Sequence, residues 1–240
     1  MREDTTRVIV QWLTDEMERA KAHGFVCGLS GGLDSSVCAA LIRQATDNCL
    51  GLILPIESCV EDCDDATEFA AQLSLKTEYI DLTALYTSFT RLMPTGSHVA
   101  LGNIKARLRM IVLYYYANMN NYLVCGTGNK TELALGYFTK YGDGACDVLP
   151  IGDLYKYEVR QLARTLSVPE KIVTKVPSAG LWQDQTDEGE IGFPYEDIDR
   201  ALQDIARGQV KGVCAQTLKN IIDQSEHKRQ LPRICRIGDR

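Results

Sequence analysis

No stretch of this chain approaches the ~20 consecutive apolar residues that a membrane span requires. Its start, MREDTTRVIVQWL, is charged and lacks the apolar centre of an export signal, so a cytoplasmic location is expected. Positive charge is not in excess either. Lys and Arg number 26 against 32 Asp and Glu, giving a net charge of −6 and a pI near 5.2. That balance argues against broad nucleic-acid binding, which needs a basic face, but leaves room for a small anion held by a few placed cations. Metal-knuckle spacing is missing too. The 9 cysteines are scattered, and the nearest pair, Cys59 and Cys63, stands too isolated for a structural zinc. Free thiols in a reducing compartment are expected. There is no internal repeat, low-complexity tract or linker, so residues 1–240 are read as one domain. With 45% hydrophobic residues it can bury a sizeable core.

What is present is an alternation of short apolar runs and helical periodicity. Residues 4–22 read as a first helix, with Val8, Trp12 and Leu13 on one side. Strands are expected at 24–29, 49–55, 77–82 and 121–129. Helices are expected at 35–45, 61–73, 103–119 and 157–166, the last with Val159, Leu162, Ala163 and Leu166 on one face. Two more follow, near 195–206 and 211–226. This rhythm predicts an α/β fold, a doubly wound parallel sheet flanked by helices. Residues 177–194 are rich in Gly and Pro and read as a long loop, of the kind that is either functional or disordered.

CGLSGGLDSS (27–36) is a glycine-rich loop between a strand and a helix. Glycines let backbone N–H groups turn inward, and the helix start adds partial positive charge, so such loops bind phosphate. The lysine that ends a Walker loop is absent, and Asp34 stands at the helix start instead. A carboxylate beside phosphate repels it unless a divalent cation lies between. The expectation is a Mg²⁺ that Asp34 helps to hold, with Ser30, Ser35 and the backbone gripping the phosphate tail. The plainer reading is an ordinary turn with Asp34 as a helix cap.

SGGLDSS resembles the pyrophosphate loop of the N-type ATP pyrophosphatases, which cleave ATP between its α and β phosphates to adenylate a substrate. GNIKARLRM (102–110), CGTGNKTELALGYFTKYGDGACDVLPIGDLYK (125–156), PSAGLWQDQTDEGEIGFPY (177–195) and HKR (227–229) follow in order. Together they resemble the ammonia-using NAD synthetases, across nearly the whole chain. The resemblance implies an adenine-nucleotide α-hydrolase-like fold and a ligase that amidates deamido-NAD with ammonia through an acyl adenylate. Mg²⁺ is the implied cofactor; ATP, deamido-NAD and ammonia are the small-molecule partners. A homodimer is implied, and the ammonia comes free or from a separate glutaminase. The wide aromatic run Tyr114–Tyr116 suits either a second buried surface or the monomer's own core.

Residue by residue, the resemblance places ATP against Gly28, Leu29, Ser30, Gly31, Gly32, Leu33, Asp34, Ser35, Thr127, Lys156 and Ser178. It places deamido-NAD against Arg107, Lys140, Asp147, His227 and Lys228, and Mg²⁺ on Asp34 and Glu132. Arg109 reads as a solvated helix residue. Lys156 opens a helix, where a cation opposes the dipole, which hints at another task. Gln183 to Glu190 read as a flap, with Asp187 and Glu188 as solvated acids or handlers of the ammonia proton. Two stretches depart from the family: PIESCVED (55–62), where some members hold adenine with Arg and Gln, and the tail after Arg229. Another ATP pyrophosphatase, such as the adenylating half of GMP synthetase, and a nucleotide sensor without turnover are the rival readings.

Overall fold

The apolar runs at 24–28 and 49–53 become strands buried on both faces, whereas the strand at 76–79 is largely exposed. In the computed structural model, which describes residues 4–182, 185–235 and 237, α1 (Thr5–Ala20) leads into β1 (Gly24–Gly28). Next come α2 (Leu33–Ala45), β2 (Cys49–Ile53), α3 (Val60–Gln72) and β3 (Lys76–Tyr79). α4 (Thr83–Thr90) and the long α5 (His98–Asn120) precede β4 (Tyr122–Cys125). The C-terminal half is helical. It holds α6 (Lys130–Leu135), α7 (Lys156–Thr165), α8 (Glu170–Val173), α9 (Asp187–Ile191), α10 (Tyr195–Ala206), α11 (Gly212–Gln224) and α12 (Glu226–Arg229).

The strands pair in the order β3-β2-β1-β4, all parallel, as the alternation of elements requires. Side chains alternate between faces. Phe25, Cys27 and Ile53 pack with Leu13, Val37, Leu41, Val159 and Leu162 of α1, α2 and α7. Val26, Leu50, Leu52 and Val124 pack on the other face with Tyr86 of α4 and Leu108 and Ala117 of α5. A third cluster joins Leu135, Ile191, Ile198, Leu202 and Leu218 of α6, α9, α10 and α11.

Several expectations are corrected. On α1 only Leu13 is buried; Val8 is 59% and Trp12 37% exposed. Three apolar residues do not make a face when only one meets the sheet. α4 has no counterpart among the expected elements. α5 starts at His98, earlier than its apolar pattern, because the Ser97 side chain caps it by accepting from Ala100 N. The 177–194 segment is not all loop. Thr186 caps α9 by accepting from Gly189 N, and Gln185 and Asp187 are buried. Gln183 and Asp184 lie outside the described residues.

Candidate active site

In a sheet of this order the chain leaves β1 toward β2 on one side and returns as β4 on the other. The loops after β1 and β4 therefore diverge from a crevice beyond the strands' carboxyl ends, where open α/β sheets bind ligands. The phosphate-type loop lines it. Gly31 has φ +74° and is buried against α3; a Cβ there would lie 2.0 Å from the Asp62 carbonyl oxygen, so no other residue fits. Ser30 N donates to Ser35 Oγ (3.2 Å), Gly32 N donates to Ser30 Oγ (3.2 Å), and the two hydroxyls lie 3.0 Å apart. Gly32 is the N-cap of α2, so Asp34 belongs to its first turn and is not a cap. Across the crevice Asn129, after β4, donates from Nδ2 to Asp34 Oδ1 at 3.0 Å.

Lys156 is the centre of this site. It is 3% exposed, and its Nζ lies 2.5 Å from Asp34 Oδ2 and 3.4 Å from Glu132 Oε1. A lysine at a helix start is misplaced only while its helix is considered alone. Asp199 of α10 supplies the anion that the α7 N-terminus wants, accepting from Tyr157 N (3.2 Å) and from Thr131 Oγ1 (2.5 Å). Thr131 Oγ1 in turn accepts from Lys156 N (3.1 Å). Glu132 is fixed by a capping box with Asn129.

Burial pushes the Glu132 carboxyl up to about 8 and Asp34 adds to the rise, while Lys156 opposes it. For Lys156 burial pulls downward, but Asp34 and Glu132 outweigh it and hold the ammonium above its ordinary value. Burial also raises Asp187, against the hydrogen bond from Tyr195 OH (2.8 Å). Asp187 is thus no solvated acid: it is 3% exposed, and its Oδ1 has no hydrogen-bond partner among the described residues. Glu188 accepts from Tyr195 N at 2.8 Å.

A family model for NAD synthase matches residues 5–232. The chain belongs to the NAD synthase family. It is 46% identical to the NH3-dependent NAD+ synthetase of Carboxydothermus hydrogenoformans, over 97% of each chain. It is 44% identical to that of Saccharolobus solfataricus, over 99% of this chain and 91% of that one. Among solved structures it resembles NMN synthetase from Francisella tularensis, with a TM-score of 0.91, 39% identity and 98% of both chains covered. It also resembles the NH3-dependent NAD synthetase of Campylobacter jejuni, with a TM-score of 0.85, 31% identity, and 98% and 99% covered.

Of the residues expected to contact deamido-NAD, Arg107, Lys140, His227 and Lys228 gather in a second cluster and Asp147 does not. Arg107 of α5 donates through Nε and Nη2 to Lys140 O (3.3 and 3.2 Å). Lys140 Nζ reaches the backbone oxygen of His227, itself exposed on α12. Lys228 Nζ donates to Gly136 O and Phe138 O, both at 2.9 Å. Asp147 is held elsewhere: Oδ2 accepts from Val124 N (2.7 Å) and Oδ1 from Tyr114 OH (3.2 Å). Thr127 and Glu132 both line a cavity of ≈40 Å³ beside Phe138 and Asp143. Ser178 is exposed and accepts from Gly180 N (3.1 Å).

Arg109 is not solvated. Its Nε donates to Leu54 O (2.9 Å) and Nη2 to Ser58 Oγ (3.4 Å), while buried Lys105 pairs with Glu57 at 2.8 Å. Two cations of α5, one turn apart, thus anchor the 54–58 segment, beside a cavity of ≈320 Å³ lined by Pro55, Glu57, Ser58, Asp64 and Tyr79. Asn129, Thr131 and Asp199 were not singled out from the sequence, although signals existed. Asn129-x-x-Glu132 is a capping-box pattern, and Asp199 shares its helix face with the apolar Ile198 and Leu202.

Proposed function

We propose that this chain amidates the nicotinate carboxylate of deamido-NAD with ammonia, cleaving ATP to AMP and pyrophosphate through an acyl adenylate. The observation that carries this reading is the Asp34–Lys156–Glu132 cluster beside a glycine loop at the sheet's crevice. A carboxylate oxygen is a poor leaving group toward ammonia, and transfer to AMP makes it a good one. The Gly28–Ser35 loop and the start of α2 offer N–H donors for the outer phosphates, and Lys156 stabilises charge on the departing pyrophosphate. Thr127 and Ser178 add hydroxyl contacts to ATP. Arg107, Lys140, Asp147, His227 and Lys228 hold the dinucleotide, Arg107 by the forked geometry that suits phosphate.

The donor set fits Mg²⁺. Among the described residues no three or more acids, histidines or cysteines gather as a metal site, but Asp34 and Glu132 stand side by side, both reaching the Lys156 ammonium. One or two carboxylates completed by substrate phosphates is how Mg²⁺ is usually held. When bound there, the ion neutralises phosphate charge; Asp34 and Glu132 would hold it. The whole chain acts as one unit in this reading, because α10 supplies Asp199 and Tyr195 to a site built on the sheet. No described helix is long and apolar enough to cross a membrane. A homodimer is supported by the outward residues Ile111, Tyr115 and Met119 of α5, each 58–64% exposed and one turn apart.

Incubation with deamido-NAD, ATP, Mg²⁺ and ammonium should yield NAD, AMP and pyrophosphate in equal amounts, read by chromatography. ADP in place of AMP would overturn the reading. The close fold match to an NMN synthetase favours a second acceptor, nicotinate mononucleotide. It carries the same carboxylate, and the ratio of kcat/KM for the two acceptors ranks them.

A further inference from the structure

We propose that Lys175 is a positioning residue for ATP: it fixes the direction of the Gly31–Gly32 peptide, and so keeps Gly32 N–H on Ser30 Oγ and the hydroxyls of the phosphate loop in place. The proposal rests on the ATP-dependent reading above and adds a residue to it.

Lys175 lies just past α8, with its side chain 24% exposed. An ammonium has three hydrogens to donate, and the structure offers three acceptors. It donates to Asp62 Oδ1 (2.7 Å) and to the Gly31 carbonyl oxygen (3.3 Å), and the third partner, Asp65 Oδ2, is an ion-pair contact at 2.5 Å. The two acids belong to the first turns of α3; the carbonyl belongs to the phosphate loop. A staple between α3 and α8 does not explain this arrangement, because Lys171 already supplies one, pairing with Asp65 (2.6 Å) and Glu68 (2.7 Å). The distinctive partner of Lys175 is the loop.

In a trans peptide the C=O and the following N–H point in opposite directions. Holding the Gly31 oxygen toward Lys175 therefore aims Gly32 N–H to the other side, where it meets Ser30 Oγ at 3.2 Å. Two successive glycines place little steric barrier in the way of a peptide flip. A flip would turn a carbonyl oxygen, with its partial negative charge, toward the phosphates. The close approach of Gly31 to α3 fixes where the loop sits, and the Lys175 contact fixes which way its peptide faces. Lys175 also precedes Ser178 by one turn of chain, and Pro177 O accepts from Asp187 N (3.1 Å), so one short segment touches both the loop and α9.

The test compares wild type, Lys175→Met and Lys175→Arg. Turnover of deamido-NAD is measured alongside calorimetric binding of ATP and of pyrophosphate, which needs no turnover. Lys175→Met should raise the KM for ATP and weaken pyrophosphate binding about tenfold. The KM for deamido-NAD should stay unchanged, and Lys175→Arg should recover part of the loss. A merely structural role would lower the melting temperature without moving ATP or pyrophosphate binding, and that result in folded Lys175→Met would overturn the proposal. If Lys175→Met does not fold, Asp62→Asn carries the test. It removes one anchor while Asp65 still neutralises the lysine, and should shift ATP binding in the same direction by less; unchanged binding overturns the proposal. A wild type that binds ATP but makes no NAD would instead refute the assigned reaction.

Discussion

Glu132 and Asp34 are two acids that share one buried cation, and the titration of Glu132 reports on that site. Glu132 keeps its proton to about pH 8 in the folded chain, against an ordinary value of 4.5. Between those values the folded state holds a proton that the unfolded chain has lost, so stability falls as pH rises through that window. Glu132→Gln has no such proton. Its melting temperature should vary less than that of wild type from pH 5 to pH 8 in nucleotide-free protein; equal slopes would contradict the assignment. Lys156→Met should abolish NAD formation and cost about 3 kcal/mol of stability at pH 8, since it leaves buried carboxylates without a cation. Urea unfolding should show a smaller loss at pH 5.5, where Glu132 keeps its proton. Much of this was legible beforehand. An aspartate in place of the loop lysine pointed to a cation, and a lysine at a helix start pointed to an unseen partner. That the two signals answer each other is a tertiary fact, since residues 34 and 156 meet only when α2 and α7 pack side by side on one face of the sheet.

Elements with a continuous apolar face were readable; elements held by a single cap or by neighbours were not. α2 and α7 follow their helical spacing closely, and Val159, Leu162 and Ala163 are fully buried as expected. α9 is short, and its own sequence, DEGEI, is acidic and interrupted by glycine, so the Thr186 cap, the burial of Asp187 and Ile191 and bonds from Tyr195 and Gln185 hold it. The same logic governs the junction of α6, α7 and α10. Asp199 takes hydrogen bonds from Thr131 and from the Tyr157 amide, joining all of these helices at the point where Lys156 leaves the backbone. Asp199→Ala should cost about 2 kcal/mol through the lost cap and hydrogen bonds. It should also lower kcat more than it raises the KM for deamido-NAD, because it loosens the base of Lys156 without touching the Arg107–Lys140 cluster. Unfolding curves and steady-state kinetics on one preparation check both; full activity at reduced stability would separate the cap from the site.

Across the molecule, the two faces of the sheet are not used alike. One face is closed by α1, α2 and α7. The other is closed by α4 and α5, whose outer surfaces remain apolar: Leu85, Phe89 and Leu92 on or beside α4, and Ile111, Tyr115 and Met119 on α5, are each at least 40% exposed. The aromatic run shows how these roles divide. Tyr114 and Tyr116 turn inward, Tyr114 onto Asp147, while Tyr115 points out at 60% exposure. A stripe of large apolar side chains at i, i+4 and i+8 beside a second apolar helix is what a helix-packed dimer requires. The same α5 presents Arg107 toward Lys140, so pairing copies through this helix would stiffen the element that carries the Arg107–Lys140 cluster. Ile111→Asp with Tyr115→Glu places charge on two exposed positions and disturbs no buried contact. The double variant should sediment as a monomer with unchanged far-UV circular dichroism, while wild type sediments as a dimer. Its KM for deamido-NAD should rise more than its KM for ATP, because the phosphate loop is packed against α3 and α7 on the opposite side of the sheet. A wild type that is monomeric at micromolar concentration, or a variant that still dimerises, would exclude this surface.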